Sequence, residues 1–168
     1  MNKQHWRPAH TSDLPAICAI AARIHPALPE RPEVFAEKMR LYPDGCRVLV
    51  AGDDIAGYGL AHPWKRHQIP PLDRFLERLP EDADCLYVHD IAVLPDRRGG
   101  VARAYMTGIA EAARASGIAT LALVSVYTTR PLWERLAFRP VTADAALHVK
   151  LASYGEGATY MLRDLAAA

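Results

Sequence analysis

Apolar positions along the chain switch between helical and strand periods, and their order predicts an architecture. His5 to Ala9 reads as a first edge strand. Leu14, Ile17, Ala21 and Ile24 share one helical face, so a helix is expected from Asp13 to about Ile24, with Ser12 as N-cap and His25-Pro26 as stop. Val34, Phe35, Lys38, Met39 and Tyr42 outline a second helix, closed by Pro43-Asp44-Gly45. Arg47–Ala51 and Ile55–His62 read as strands joined by a turn at Gly52-Asp53-Asp54, with Gly57 and Gly59 marking a bulge or close packing. His62 to Asp84 is the least regular stretch, with a short helix over Leu72–Leu79. Cys85–Val93 is mostly apolar or β-branched, the pattern of a strand covered on both faces. Val101, Tyr105, Ile109 and Ala112 or Ala113 mark the helix that follows. Thr120–Val126 reads as a strand, and Pro131 opens a short helix ending near Leu136. Ala146–Leu151 reads as a sixth strand and Thr159–Arg163 as the last. This order predicts an α/β fold, a mixed sheet flanked by helices on both faces. The 168 residues suit a single domain.

Composition narrows the picture only a little. The chain is 51% hydrophobic and 23% charged, ordinary for a globular protein. A net charge of +1 argues against nucleic acid or an acidic membrane surface as partner. No apolar run approaches the ~20 residues of a membrane span, and no apolar stretch follows the N-terminal residues as in a secretory signal. Cys18, Cys46 and Cys85 are odd in number and match no zinc motif, which suggests free thiols in a reducing, cytoplasmic setting. His5, His10, His25, His62, His67 and His148 lack metal-ligand spacing, so no metal is expected, and they read as surface or core residues.

The chemistry concentrates between Cys85 and Ala115. Pro95 and Asp96 stop the strand, and Arg97, Arg98, Gly99 and Gly100 lead into the helix at Val101-Ala102. Glycines at a helix start leave bare N–H groups where the helix carries partial positive charge, a natural phosphate site, and arginines add donors. The Gly-Lys-Ser/Thr of a P-loop and the G-x-G-x-x-G dinucleotide fingerprint are both absent. The plain alternative is a solvated basic turn capping a helix.

Arg97-x-x-Gly100-x-Ala102 resembles the pyrophosphate signature of the Gcn5-related N-acetyltransferases (GNAT), Arg/Gln-x-x-Gly-x-Gly/Ala. It follows Asp90-Ile91-Ala92-Val93-Leu94-Pro95, similar to the strand end found before it in that family. Trp133-Glu134-Arg135-Leu136-Ala137-Phe138 is similar to a second signature, Tyr-Glu-Lys-Leu-Gly-Phe. Three features depart from the pattern: a turn one residue shorter after Pro95, Ala137 for glycine, and Trp133 for tyrosine. The resemblance implies a mostly antiparallel GNAT-like sheet and acetyl-CoA as co-substrate. The pyrophosphate would lie on Arg97, Arg98, Gly99, Gly100, Val101 and Ala102. The pantetheine arm would run along Ile91, Ala92 and Val93, and Trp133 would stand beside the cofactor. It implies direct acetyl transfer to a primary amine of a small molecule or peptide. Alternatives are a longer acyl donor, an alcohol acceptor, or a coenzyme-A-binding sensor or interaction module without catalysis. Oligomeric state is open, a homodimer included.

Two groups on the strand bear on proton transfer. Strict alternation places Tyr87, His89, Ile91 and Val93 on one face and Val88, Asp90 and Ala92 on the other. The His89-x-Ile91-Ala92-Val93 spacing is similar to the arylalkylamine branch of the family, which implies that His89 removes the acceptor's proton. A core histidine bonded to a neighbour is the plain alternative, and Asp90 is a second candidate base. Indole cannot act as a general acid, so Trp133 cannot fill the tyrosine's role. Tyr127 is a candidate substitute, against the favoured reading of an interfacial aromatic with its hydroxyl in water, and a thiolate leaving group of pKa ≈ 8.5 needs no acid near neutral pH.

Overall fold

The computed structural model describes residues 3–166. Its strands are β1 (Gln4–Pro8), β2 (Arg47–Ala51), β3 (Asp54–Trp64), β4 (Cys85–Val93), β5 (Thr120–Ser125), β6 (Arg139–Pro140) and β7 (Thr159–Asp164). They form one seven-stranded sheet in the order β1-β2-β3-β4-β5-β7-β6. Only the β4–β5 pair is parallel; the others are antiparallel. The helices are α1 (Leu14–Ile24), α2 (Pro32–Leu41), α3 (Val101–Ala115), α4 (Arg130–Arg135) and α5 (Ala145–Ala152).

Helices cover both faces because the central strands are apolar on both. On one face Leu86, Val88, Leu121 and Leu123 meet Met106 and Ile109 of α3 and Trp133 of α4. On the other, Val48, Tyr58 and Leu60 meet Ile17 and Ile20 of α1 and Phe35 of α2. Further along that second face, Tyr87 and Ala122 meet Leu147 and Leu151 of α5. Gly59 explains how closely α3 approaches β3: a Cβ there would stand 2.4 Å from the Tyr105 ring. Tyr105 then reaches across to donate its hydroxyl to the Gly45 carbonyl at 2.9 Å.

Four local expectations are corrected. Ala145–Ala152 is a helix rather than a strand. Asp144 caps it by accepting from the Leu147 N–H at 2.8 Å, and Leu147 and Leu151, four apart, are its buried pair. The strand beside β7 is instead the two-residue β6. No helix forms over Leu72–Leu79; side chains hold that segment instead. The Glu37 carboxylate accepts from the Leu76 and Glu77 amides, and Asp73 pairs with Arg31 at 3.0 Å. Before α1, Ser12 does not cap. Asp13 accepts from the His10 N–H at 2.8 Å and from both terminal nitrogens of Arg7. Among the described residues, no helix is long and apolar enough to cross a membrane.

The fourth correction shapes the site. The β3–β4 register shifts so that Leu60 faces Asp90 while Ala61 faces Val88, leaving His89 as the extra residue of a β-bulge. The bulge resets the alternation. Val88 and Ile91 both join the α3-side core, while His89 and Asp90 find their partners on the α1/α2 side. His89 therefore does not share a face with Ile91 and Val93, and Asp90 does not oppose it.

Candidate active site

The parallel β4–β5 ladder ends early. Its partners are Leu86–Leu121, Tyr87–Ala122 and Val88–Leu123, and pairing stops where the bulge begins. Beyond that point the strands part around a cavity of about 530 Å³.

Main-chain geometry makes the β4 side of this gap a row of hydrogen-bonding groups. The Leu94 N–H donates to the Ala56 carbonyl at 2.9 Å, continuing the antiparallel β3–β4 ladder past Val93. Alternation then turns the polar groups of Ile91 and Val93 away from β3, towards the gap, and those of Ala92 towards β3. Arg98 Nε donates to the Val93 carbonyl at 3.2 Å, which agrees with this direction.

At one end of the gap stands the start of α3. Gly99 and Gly100 adopt φ of +120° and +74°, conformations that favour glycine, and nothing lies within 4 Å of where a Cβ would sit. The first helical bond is Ala104 N–H to the Gly100 carbonyl, so the Val101, Ala102 and Arg103 amides have no intrahelical partner. This open, partly positive surface is the chemistry a phosphate group needs.

The inner end holds two histidine–carboxylate pairs. His89 Nε2 lies 2.8 Å from Glu30 Oε1, with side chains 1% and 5% exposed. Glu30 Oε2 also accepts from the Asp73 N–H at 3.1 Å. Burial works to raise the Glu30 carboxyl, but the His89 charge and hydrogen bond, with Lys38 behind, outweigh it and bring it down to about 2. His89 Nδ1 is buried and has no partner among the described residues. In the second pair, Asp90 accepts from the Tyr58 hydroxyl and lies 2.9 Å from His25 Nε2, although the imidazole is not aligned for a hydrogen bond. Burial works against a charged His25, yet Asp90 leaves its pKa raised. The Tyr127 ring stacks on His25 with centroids 5.7 Å apart.

The sequence candidates largely converge. Ile91, Ala92 and Val93 line this cavity, as do Arg98, Gly99, Gly100, Val101 and Ala102. His89, Asp90, Tyr127 and Trp133 line it too. Arg97 does not: its Nε pairs with Asp96 at 3.3 Å on the surface. Trp133 donates its indole N–H to Thr129 Oγ1 at 3.1 Å. Burial pushes the Cys46 and Cys85 thiols up to about 12, which leaves them unreactive core residues.

Glu30 and His25 were missed as site residues. Glu30 sits between Pro29 and Arg31-Pro32, where no periodicity marks it, and His25 reads as the end of a helix. The bulge brings both against β4, and nothing local in the sequence reports it.

The fold is thus a mixed sheet parted between its parallel neighbours, with a glycine-led helix start at the gap. The model of the Acetyltransferase (GNAT) family matches residues 14–138, and the chain belongs to that family. Several solved structures share the fold. The loading GNATL domain of CurA from Lyngbya majuscula superposes with a TM-score of 0.78 at 12% identity, covering 99% of this chain and 100% of that one. The ribosomal-protein-S18-alanine N-acetyltransferase from Escherichia coli gives 0.67 at 21%, covering 99% and 96%. N-acetylglutamate synthase from Neisseria gonorrhoeae, complexed with coenzyme A and N-acetyl-glutamate, gives 0.69 at 20%. That match covers 98% of this chain and 36% of the synthase, so the chain spans about a third of that enzyme's length. No curated protein matches the sequence significantly.

Proposed function

We propose that this protein transfers an acetyl group from acetyl-CoA directly to a primary amine of a small molecule or peptide. The observation that carries the reading is the gap that opens after Val88 and Leu123, running from the free amides of α3 to the His89–Glu30 pair. The residues fit the cofactor. Gly99, Gly100, Val101 and Ala102 would hold the pyrophosphate, aided by Arg98, and Ile91 and Val93 would bond the pantetheine amides. Acetyl-CoA supplies an activated acyl group on a tolerable leaving group, a thiol of pKa ≈ 8.5.

An alkylamine of pKa ≈ 10.4 is almost wholly protonated at pH 7, and freeing its lone pair costs about 4–5 kcal/mol. Glu30 stays ionised there, and in the base form of His89 the ring donates its Nε2–H to Glu30, which leaves the lone pair on Nδ1. Nδ1 takes the ammonium proton, directly or through water. The amine then forms the N–C bond as the C–S bond breaks; coenzyme A leaves as the thiolate, and the surplus N–H proton of the new amide passes to that thiolate or to water. Trp133, its N–H committed to Thr129, protonates nothing. Asp90, already accepting from Tyr58 and paired with His25, is the weaker base candidate, and Tyr127 serves as a wall.

The test is thiol release from acetyl-CoA over an amine panel, with product masses recorded. A protein that binds acetyl-CoA but acetylates nothing on the panel is a sensor or interaction module, and the proposal fails. His89→Gln should lower turnover by about 10²–10⁴-fold at pH 7 and leave acetyl-CoA affinity nearly unchanged. Wild-type turnover in the folded variant would remove His89 from the mechanism.

A further inference from the structure

A buried carboxylate needs a counter-charge, because an unpaired buried anion is costly. Asp90 has His25 beside it. Glu30 has two neighbours that can be cationic, His89 and Lys38. Lys38 shares the buried face of α2 with Val34 and Phe35, and it is 1% exposed. Its Nζ has no hydrogen-bond partner among the described residues, so it acts on Glu30 as a nearby charge rather than through a bond. Burial lowers the Lys38 pKa, and among the anions that work against this Glu30 comes first. The others are occupied or neutral. The Glu37 carboxylate accepts from the Leu76 and Glu77 amides, Asp73 pairs with Arg31, and the Cys46 thiol, pushed up to about 12, carries no charge.

The other groups packed on His89 do not supply the charge. His62 on β3 is fully buried, with its ring centroid 6.0 Å from that of His89. Burial, followed by the His89 and Lys38 charges, pulls it down to about 3. Its Nδ1 lies 3.0 Å from the Pro63 carbonyl, which can only accept, so a neutral ring donates there. The Tyr87 ring beside His89 is a phenol that burial keeps neutral. The counter-ion of Glu30 is therefore either Lys38 or His89. With a charged Lys38 in place, Glu30 does not require a proton on His89. Without it the same carboxylate would hold that proton, and a histidine kept charged cannot accept another.

We propose that Lys38 is a positioning residue for proton transfer: its ammonium serves as the counter-ion of Glu30 and so leaves His89 free to act as a base. Lys38 does not line the cavity, so it touches neither acceptor nor cofactor and works only through Glu30 and His89. The use made of the base rests on the N-acetyltransferase reading above; the charge arrangement itself does not.

The test is Lys38→Met, which keeps the length of the side chain and removes its charge. Two quantities are followed against pH on the full chain: the histidine ring signals by NMR, with His89 assigned by its loss in His89→Gln, and kcat/KM for the best amine with acetyl-CoA. In the wild type the His89 ring should be uncharged at pH 7. In Lys38→Met its titration should move to higher pH by on the order of one unit, and the acid limb of kcat/KM should move with it. On that limb the variant should be about tenfold slower, and at high pH it should regain the wild-type plateau. The acceptor's own titration is common to both proteins and cancels in their ratio. A merely structural role would lower the plateau and leave the limb in place, and that result would overturn the proposal. A charged His89 at pH 7 in the wild type would overturn it as well, whether or not Lys38→Met folds. Should no amine be acetylated while the NMR titration shifts as expected, the acetyltransferase reading falls and the control of His89 by Lys38 stands.

Discussion

Glu30→Gln isolates the buried pair without changing side-chain size. The Glu30 carboxyl is lowered from 4.5 to about 2 in the folded protein, with its side chain only 5% exposed. Solvent screening therefore removes little of the effect. By linkage, that lowering is worth about 3 kcal/mol of stability above pH 4.5, where the carboxylate is charged in both states. The sign follows from the depressed value. The contribution is complete above the unfolded pKa, shrinks as pH falls, and is lost as pH passes through the folded value near 2. About 2 kcal/mol of it should be gone by pH 3. The glutamine variant lacks this titration and leaves Lys38, whose Nζ has no partner among the described residues, with one less neighbouring anion. Urea unfolding of both proteins at pH 6 and pH 3, followed by tryptophan fluorescence, gives the difference in stability at each pH. Taking the difference cancels groups that titrate alike in both. The wild type should lead by about 3 kcal/mol at pH 6 and by about 1 kcal/mol at pH 3. A lead that is unchanged between the two would refute the charged-pair argument. Activity gives an independent readout, because losing the partner that fixes the His89 tautomer should lower turnover without changing acetyl-CoA affinity.

Three further outcomes separate parts of the structure. Arg98→Ala should weaken acetyl-CoA binding and its salt dependence more than Arg97→Ala, because only Arg98 lines the cavity; calorimetry at two ionic strengths decides it, and equal effects would contradict the assignment. Gly59→Ala should destabilise the fold by about 1–3 kcal/mol, since the added carbon stands 2.4 Å from the Tyr105 ring; a melting temperature equal to wild type would show that Tyr105 is free to move. Trp133→Phe should remove the hydrogen bond to Thr129 but leave the pH–rate profile without a new limb, and a lost acidic limb would mean that position 133 takes part in proton transfer.

Much of the fold was legible because its signals are local. The apolar spacing of α3, the proline- and glycine-rich stop after α2, and the two-sided apolar run of β4 each record what those residues touch. The misreading of α5 has a definite cause. Val149 suggests a strand, but it is 73% exposed and carries no packing, while the Asp144 cap and the Leu147–Leu151 pair determine the helix. The basic-glycine turn was legible as a candidate site because the pattern that uncovers the amides at the start of α3, two arginines and two glycines, lies in consecutive residues. The inner end of the cavity was not, because Leu28, Glu30, Leu72, Val124 and Tyr154 come from separate segments and meet only through tertiary packing.

The bulge at His89 joins the remaining features through one physical cause. An extra residue in β4 bends that strand and increases its twist at the point where it is inserted. The parallel ladder to β5 ends at Val88, the residue just before the insertion, so the bend and the loss of pairing coincide. Three consequences follow from this single residue. The polar groups of Ile91 and Val93, freed from β5, line a gap wide enough for a ligand. The reset alternation turns His89 and Asp90 to the same side, each against its own titratable partner. Ile91 and Val88 still face the α3 core despite an odd separation, so the apolar layer is not broken by two titratable neighbours. A strand with strict alternation would send either His89 or Asp90 into that layer, next to Met106 and Ile109, where a charged group would have no partner. The extra residue is therefore what allows two titratable residues in succession on a buried strand, and it places them where the two strands part.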